Sequence, residues 1–341
     1  MTTLRQAQGG ALTLGKALNR GLHRALTDDP KVLVMGEDIG RLGGVYRITD
    51  GLQAEFGADR VIDTPLAESG IVGTAIGLAL RGYRPVCEIQ FDGFVYPAFN
   101  QIVSQLSRLA YRSEGRLRMP VVVRIPYGGG IGAVEHHSES PEAYFAHTPG
   151  LRVVTCAGPA DGYWMIQQAI ASDDPVLFFE PKRRYWDKAE VDVTTPLAQA
   201  GPEHALTPLH AARVVRSGTD VTVVAYGPTV RVALDAAELA AAEGRSLEVV
   251  DLRSLSPLDT GTVTESVRRT GRCVVVHEAP VFLGMGAEIA ARVTEECFHH
   301  LEAPVQRVGG YATPYPASRH EETYLPDHDR VLGAVDRVVG Y

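Results

Sequence analysis

The sequence predicts two α/β domains, each built on a mostly parallel β-sheet with helices on both faces. The chain has 341 residues, which is more than one hydrophobic core usually serves. Short strand-like apolar runs alternate with stretches of helical periodicity, a pattern typical of parallel sheets covered on both sides. The alternation breaks once, in a polar stretch that contains Pro and Thr. We therefore predict one domain over 1–185, a linker over 186–208 and a second domain over 209–341.

The individual elements follow from two patterns. Runs rich in β-branched residues favour strands, and apolar residues spaced three or four apart favour helices. In the first domain we expect strands over 31–35, 85–91, 121–125, 151–155 and 175–180, with helices over Glu68–Leu80, 96–111 and 160–171. In the second domain we expect strands over 221–225, 247–252, 273–277 and 305–308, with helices over 229–243, 259–270, 287–299 and 330–339.

The composition indicates a globular protein, with 45% hydrophobic and 22% charged residues. The formal net charge of −8 disfavours nucleic acid and anionic membranes as partners and favours a basic protein. No apolar run approaches the roughly 18 residues of a membrane span, and the first residues lack the pattern of a secretory signal. The four cysteines form no CxxC pair, so we expect buried free thiols and a cytoplasmic location.

Glu68 stands where a predicted helix begins. The helix dipole stabilises a carboxylate in the first turn, so a purely structural role is one interpretation. Beyond it, one helix face carries only small residues, namely Gly70, Gly73, Thr74 and Gly77. Each helical glycine costs about 0.8–1 kcal/mol relative to alanine, so three on one face indicate close packing. Either the same chain packs there, or a cofactor or another subunit does.

Two adjacent histidines, His136 and His137, follow a glycine-rich loop over 128–132. Neighbouring side chains rarely converge on one metal ion, and no cysteine is near, so zinc is disfavoured. An acid–base or hydrogen-bonding role suits imidazole better, and ordinary loop histidines are the other alternative. The loop does not match dinucleotide-binding or P-loop spacing, so its glycines either cradle phosphate or only permit positive φ angles.

Seven segments stand out, in order along nearly the whole chain: DTPLAESGIVG (63–73), EIQFDGFVYPAFNQI (88–102), HHSESPEAYFAH (136–147), VVDLRSLSPLD (249–259), HEAP (277–280), EECF (295–298) and LEAP (301–304). Together they resemble one family, the beta subunits of thiamine-diphosphate-dependent 2-oxoacid dehydrogenases. The resemblance implies two domains: an N-terminal pyrimidine-binding α/β domain and a C-terminal domain of transketolase type.

The resemblance also implies site residues. Glu68 falls on the glutamate that hydrogen-bonds the aminopyrimidine ring of thiamine diphosphate and favours its reactive tautomer. Phe94 falls on the aromatic residue that stacks on that ring, and Leu66 and Gln90 line the same pocket. His137 falls on the active-site histidine, which contacts the substrate and assists acyl transfer to lipoyl groups. The cofactor carries the chemistry, while the protein sets its tautomer and position.

One family feature is missing from this chain. The diphosphate and Mg²⁺ site of the family is a Gly-Asp-Gly motif followed by paired asparagines. This sequence has no Gly-Asp-Gly, and its only asparagines are Asn19 and Asn100. We therefore expect an alpha subunit to hold Mg²⁺, in a heterotetramer of two alpha and two beta chains that share the cofactor. The resemblance also implies docking to the lipoyl acyltransferase core.

The resemblance leaves the substrate open. The segments SPEAYFAH (140–147), FFEPK (178–182) and HEAP (277–280) favour the branched-chain 2-oxoacid type. The reaction would be oxidative decarboxylation of a branched 2-oxoacid, with transfer of the acyl group to a lipoyl arm. Pyruvate and acetoin dehydrogenase beta subunits are the alternatives of the same chemistry. A non-catalytic assembly subunit is the alternative of a different class.

Overall fold

The computed structural model describes residues 10–204 and 206–341. Residues 1–9 and 205 belong to the predicted first domain and linker and lie outside the described part. The first half contains β1 (Gly10–Thr13), α1 (Leu14–Asp28), β2 (Val32–Gly36), α2 (Leu52–Phe56), β3 (Val61–Asp63), α3 (Glu68–Leu80), β4 (Arg84–Glu88), α4 (Leu109–Arg112), β5 (Val122–Tyr127), α5 (Glu142–Ala146), β6 (Arg152–Thr155), α6 (Pro159–Ala171), β7 (Val176–Pro181) and β8 (Lys188–Val191).

The second half repeats the alternation of strands and helices. It contains β9 (Arg213–Arg216), β10 (Val221–Ala225), α7 (Thr229–Ala242), β11 (Leu247–Asp251), β12 (Ser254–Ser256), α8 (Thr260–Thr270), β13 (Cys273–Pro280), α9 (Met285–Cys297), β14 (Gln306–Gly310), α10 (Glu321–Tyr324) and α11 (His328–Val339). None of the described helices is long and apolar enough to cross a lipid bilayer.

Two larger sheets organise the molecule. The first has the strand order β12-β6-β7-β5-β4-β2-β3 and the second the order β14-β13-β10-β11-β9. Every pairing in them is parallel except β12 with β6 and β9 with β11. Strands β2, β5 and β7 are buried along their whole length, as expected for strands covered on both faces. The predicted α/β class is confirmed.

The two halves of the chain are not separated cleanly. Strand β12, from the second half, adds to the edge of the first sheet beside β6. Strand β8 lies inside the range predicted as linker and pairs with β1. One apolar cluster also continues from Ile125 and Phe179 of the first sheet to Val224 and Val275 of the second. The halves therefore share one core.

Helix α1 is absent from our sequence prediction, although its signal was readable. Leu14, Leu18, Leu22 and Leu26 recur every four residues and are almost fully buried, where they pack against the first sheet beside residues of α6. Thr13 caps the helix by accepting a hydrogen bond from the Lys16 N–H at 3.2 Å, as a threonine at this position is expected to do.

The prediction of one regular helix over 96–111 is wrong, because the segment is a series of short helical turns of different types. The segment comprises 3₁₀ turns at Asp92–Ala98 and Leu106–Arg108, a π-helical turn at Gln101–Gln105, and the short α4. Pro97 lacks the N–H that a regular helix needs. Ser107 Oγ donates to the Val103 carbonyl at 2.7 Å, and a side chain that bonds four residues back bends a helix. Apolar spacing alone does not report these effects.

Candidate active site

The candidate site lies at the carboxyl edge of four neighbouring strands. In the order β5-β4-β2-β3, each of these strands is followed by a segment that carries a residue of interest. Glu37 follows β2, Leu66 and Glu68 follow β3, Gln90 follows β4, and the histidine segment follows β5. Carboxyl ends of parallel strands share one edge, which is the usual ligand-binding edge of an open α/β sheet.

Glu68 and Glu37 form the acidic part of the site. Glu68 begins α3 and is only 7% exposed, yet no described residue hydrogen-bonds its carboxylate. Glu37 is similarly buried, and its Oε1 has no hydrogen-bond partner in the described chain. Burial raises the pKa of Glu37 above its ordinary value, and the neighbouring charge of Glu68 acts in the same direction. A backbone hydrogen bond from Ala67 opposes this shift, but a buried oxygen without a partner is costly, so Glu37 Oε1 is suited to receive a polar group.

His137 lies in a cluster of aromatic rings. It stacks on Phe91 with a centroid separation of 4.0 Å and an interplanar angle of 10°, and it meets Phe94 edge-on at 5.2 Å. Its buried Nδ1 has no hydrogen-bond partner among the described residues. Gly93 makes the contact possible, because a Cβ there would collide with the backbone of His136. The site therefore brings an unpaired imidazole nitrogen against two rings.

The remaining predicted residues lie on the open side of the site. Leu66 is 81% exposed, which leaves one wall uncovered. Gln90 Nε2 donates to Asp38 Oδ2 at 3.2 Å, and Asp38 adopts a positive φ of 57°. Among the predicted residues, the structure places only Phe94 and His137 in direct ring contact. The other three lie on the same edge of the sheet.

Sequence reasoning missed the ion pairs beneath the site. Arg124, fully buried in β5, donates from Nη1 to Glu88 at 2.6 Å and from Nε and Nη2 to Glu180 at 2.7 and 2.9 Å. Lys182 forms a buried ion pair with Asp92, and burial raises the pKa of Asp92 to about 6 against the opposing charge of Lys182. The available signal was a lone arginine inside the apolar run Val121–Tyr127.

The glycine-rich loop does not cradle phosphate. Gly128, Gly130 and Gly132 have φ values of 82°, 85° and 71°, which confirms the expected positive angles. The amides of Gly129, Gly130 and Gly132 donate to carboxylates of the second half of the chain. They are therefore not free for an anionic ligand.

Glu142 joins the two halves of the chain and makes the stability of the fold depend on pH. It is fully buried at the start of α5, and its Oε1 accepts a hydrogen bond from the Tyr226 hydroxyl at 2.7 Å. Burial raises the pKa of Glu142 to about 7 from an ordinary 4.5. The folded state therefore keeps the proton while the unfolded chain ionises, and stability falls as pH rises from about 4.5 to about 7.

We expect Glu142→Gln, which is neutral at every pH, to reduce this loss of stability. Since one pKa unit corresponds to about 1.4 kcal/mol, its share is on the order of 3 kcal/mol. Asp92 and Asp251 also have raised pKa values, so part of the pH dependence remains. Urea unfolding of the full chain at pH 5 and 7.5 measures the effect, with exposed Glu190→Gln as control. If the free energy of unfolding changed equally with pH in wild type and Glu142→Gln, Glu142 would not be the source of this pH dependence.

The comparisons with known proteins first define the class. Residues 10–187 match the family described as the transketolase pyrimidine binding domain, and residues 210–331 match the transketolase C-terminal domain. A solved structure, a split-gene transketolase described as an inactive beta4 tetramer, is similar with a TM-score of 0.76 and 24% identity. The similarity covers 97% of this chain and 99% of that one and shows the fold. The predicted two-domain fold class is confirmed.

Three curated relatives then define the family. A pyruvate dehydrogenase E1 component subunit beta of Leifsonia xyli is 62% identical over 97% of this chain and 96% of its own. A 3-methyl-2-oxobutanoate dehydrogenase subunit beta of Mycobacterium tuberculosis is 54% identical, with 96% and 92% covered. A 2-oxoisovalerate dehydrogenase subunit beta of Pseudomonas aeruginosa is 44% identical, with 96% and 95% covered. The chain belongs to the beta subunits of 2-oxoacid dehydrogenases, as its sequence segments predict.

Membership of this family implies thiamine diphosphate as the cofactor, and Mg²⁺ is typical of the family. The residues at the sheet edge fit the pyrimidine end of that cofactor. The buried carboxylate of Glu68 and the unpaired Oε1 of Glu37 offer acceptors for polar ring atoms. The ring of Phe94, only partly buried, offers an aromatic surface. No group of three or more His, Cys, Asp or Glu side chains converges as a metal site within 10–204 and 206–341.

Proposed function

We propose that this chain is the beta subunit of a branched-chain 2-oxoacid dehydrogenase and that it decarboxylates its substrate only together with an alpha subunit. The observation that carries the proposal is a half-built pocket. Glu68 is 7% exposed and its carboxylate accepts no hydrogen bond from the described residues, while Leu66, two residues before it, is 81% exposed. A second polypeptide that covers Leu66 would enclose the cofactor between the chains.

The two asparagines support the need for an alpha subunit. Asn19 Nδ2 donates to the carbonyls of Ile48 and Asp50 at 2.8 and 3.1 Å, so its amide serves the fold of α1. Asn100 is exposed and far along the chain from Asn19. Neither belongs to a Gly-Asp-Gly site for diphosphate and Mg²⁺, and such a site on the alpha subunit would complete the pocket.

Each site residue then has a proposed role. The Glu68 carboxyl hydrogen-bonds a nitrogen of the aminopyrimidine and shares its proton, which is the form of acid–base assistance that a positioned carboxyl provides. Phe94 stacks on the pyrimidine, and Leu66 and Gln90 line the pocket. Bound thiamine diphosphate would supply the nucleophilic carbon and the electron sink for decarboxylation.

His137 is proposed to serve the second half of the reaction. Its buried Nδ1 has no hydrogen-bond partner among the described residues, so one polar atom of the ring is left for another group, and imidazole exchanges protons near neutral pH. We propose that it contacts the substrate and assists transfer of the acyl group to the lipoyl arm of the acyltransferase. Stacking on Phe91 fixes the plane of its ring.

Reconstitution with a candidate alpha subunit tests the proposal. We expect oxidative decarboxylation of 3-methyl-2-oxobutanoate in the presence of thiamine diphosphate, Mg²⁺ and an artificial two-electron acceptor, and none from the beta subunit alone. Because one missing methylene group in an apolar pocket changes kcat/KM by about 10–200-fold, and pyruvate lacks two carbons of the branched acid, we expect pyruvate to react at least tenfold less efficiently. Activity of the isolated beta chain would refute the shared site.

Pyruvate is the second candidate substrate, since the relative from Leifsonia xyli with 62% identity carries the name of a pyruvate dehydrogenase subunit. The same assay separates the two substrates. A higher kcat/KM for pyruvate than for 3-methyl-2-oxobutanoate would assign the subunit to pyruvate and leave the proposed catalytic roles unchanged.

A further inference from the structure

The segment 128–139, which we call the histidine loop, carries His137 and is anchored at its base. The Gly128 N–H donates to the Glu139 carbonyl at 2.8 Å and closes the loop. The Glu139 N–H donates to Asp92 Oδ2 at 2.8 Å, and Tyr96 OH donates to Glu139 Oε2 at 3.0 Å. These contacts all come from the first domain, and they fix both ends of the loop.

The middle of the loop is held by the second domain instead. Glu321 accepts from the Gly130 N–H at 2.8 Å through Oε1 and from the Gly132 N–H at 2.9 Å through Oε2. The Gly129 N–H donates to Glu278 Oε1 at 2.5 Å. A row of backbone amides with glycines at positive φ is a natural receptor for a negative charge. Charged acceptors also make hydrogen bonds roughly twice as strong as neutral ones.

The Glu321 carboxylate is buried and held in a fixed orientation where it meets the loop. Glu321 is only 8% exposed, and its Oε1 also accepts from the Tyr315 hydroxyl at 2.6 Å, which orients the carboxylate. The Tyr315 ring lies so close to Gly129 that no Cβ would fit there. Shape and charge at this point are therefore matched between the two domains.

Apolar burial contributes little to holding the loop. Residues 131–136 are exposed apart from the half-buried Ala133, and Val134 exposes 51% of its surface. The described hydrogen bonds therefore carry most of the constraint. His137 follows within the same short loop, and its N–H donates to the Val134 carbonyl at 3.0 Å. A displacement of Gly130–Gly132 would therefore also displace the imidazole of His137.

We propose that Glu321 is a positioning residue for His137. By holding the amides of Gly130 and Gly132, it keeps the imidazole stacked on Phe91, where its Nδ1 remains free. This inference rests on the proposed role of His137 in acyl transfer. It assigns to the second domain a part in the chemistry of a site that otherwise lies on the first.

Glu321→Gln tests the proposal in the reconstituted enzyme. The amide places an N–H donor where one loop N–H needs an acceptor, so one bond is lost and a repulsion replaces it. Because a displacement of about 1 Å can cost on the order of 100-fold in rate, we expect lipoyl acylation to slow at least tenfold. Decarboxylation measured with an artificial electron acceptor should fall less than lipoyl acylation, and the affinity for thiamine diphosphate should change less than about twofold, since Glu68 itself is not altered.

Two further measurements separate positioning from general damage. In a His137→Ala background, Glu321→Gln should have no additional effect on lipoyl acylation, because both changes act through one group. Hydrogen exchange in a peptide covering 128–139 should speed up at least tenfold in Glu321→Gln, whatever the activity. Exposed Glu322→Gln removes the same charge one residue away and should match wild type in every assay.

The results separate failure of this inference from failure of the proposed role of His137. Wild-type acylation in Glu321→Gln, or a loss that multiplies with that of His137→Ala, would overturn this inference alone. Unchanged acylation in His137→Ala would overturn the proposed role of the histidine and this inference with it. If Glu321→Gln fails to assemble, Glu321→Asp keeps the charge with a shorter reach. That variant should show a smaller acylation loss that His137→Ala again masks, and full acylation in it would count against the proposal.

Discussion

Glu68→Gln is expected to lower turnover of the reconstituted enzyme by about 10²–10⁴-fold, the range that a positioned acid–base group contributes. Glutamine preserves the size of the side chain and its place in the first turn of α3, but it cannot share a proton with a ring nitrogen. The change thus removes an interaction needed in the transition state, so kcat falls while KM for the 2-oxoacid changes little. Steady-state kinetics with saturating thiamine diphosphate and Mg²⁺ measures the effect.

The control for this prediction is Glu190→Gln, which removes an exposed carboxylate on β8, a strand that pairs with β1 outside the two larger sheets. It should retain wild-type kinetics. Assembly of the Glu68→Gln chain with the alpha subunit is checked by sedimentation, so that loss of structure is not mistaken for loss of chemistry. An assembled Glu68→Gln enzyme with full turnover would favour the alternative of a non-catalytic assembly subunit.

Arg124→Met is expected to destabilise the chain by about 3–5 kcal/mol, the cost of removing one partner from a buried ion pair. Arg124 is 0% exposed and bridges Glu88 and Glu180, which are 6% and 0% exposed. Methionine preserves most of the volume but leaves both carboxylates without their cation. Burial already raises the pKa of Glu88, and the charge of Arg124 opposes that shift, so the variant would also favour proton uptake there.

Urea unfolding of the full chain at pH 7.5 measures this loss. The matched control is Arg231→Met, which breaks the exposed Arg231–Asp235 pair at 2.8 Å and should cost less than about 1 kcal/mol, as surface pairs do. If Arg124→Met and Arg231→Met had equal effects, the buried cluster would not contribute to stability in the way its burial indicates.

Only some residues of the candidate site could be predicted from the sequence. The start of α3 at Glu68 and its small-residue face are local patterns, so they were visible directly. The proposed roles of Phe94, Leu66, Gln90 and His137 rest on resemblance to a family, since no spacing rule assigns them. Glu37 was missed because an acidic residue after a strand has no distinctive local signature. Only the sheet order, with β2 beside β3, places it near Glu68.

The sequence by itself determined the α/β class, the positions of most strands and the absence of a Gly-Asp-Gly motif. These are properties of short windows or of composition, and apolar periodicity reports them well. Apolar periodicity did not predict the irregular helical turns over 92–112, because Pro97 and the Ser107 hydroxyl act on individual backbone hydrogen bonds and leave the apolar pattern unchanged.

Only the tertiary structure decided which groups meet. Lys182 pairs with Asp92 across 90 residues, and Glu321 reaches Gly130 across 191. The same long-range folding converts the glycine loop from a candidate phosphate cradle into a contact between domains. Local propensity acts over a few residues, whereas a buried charge is satisfied by whatever the packed core brings within about 3 Å of it. The partners in this site are therefore a consequence of the whole fold.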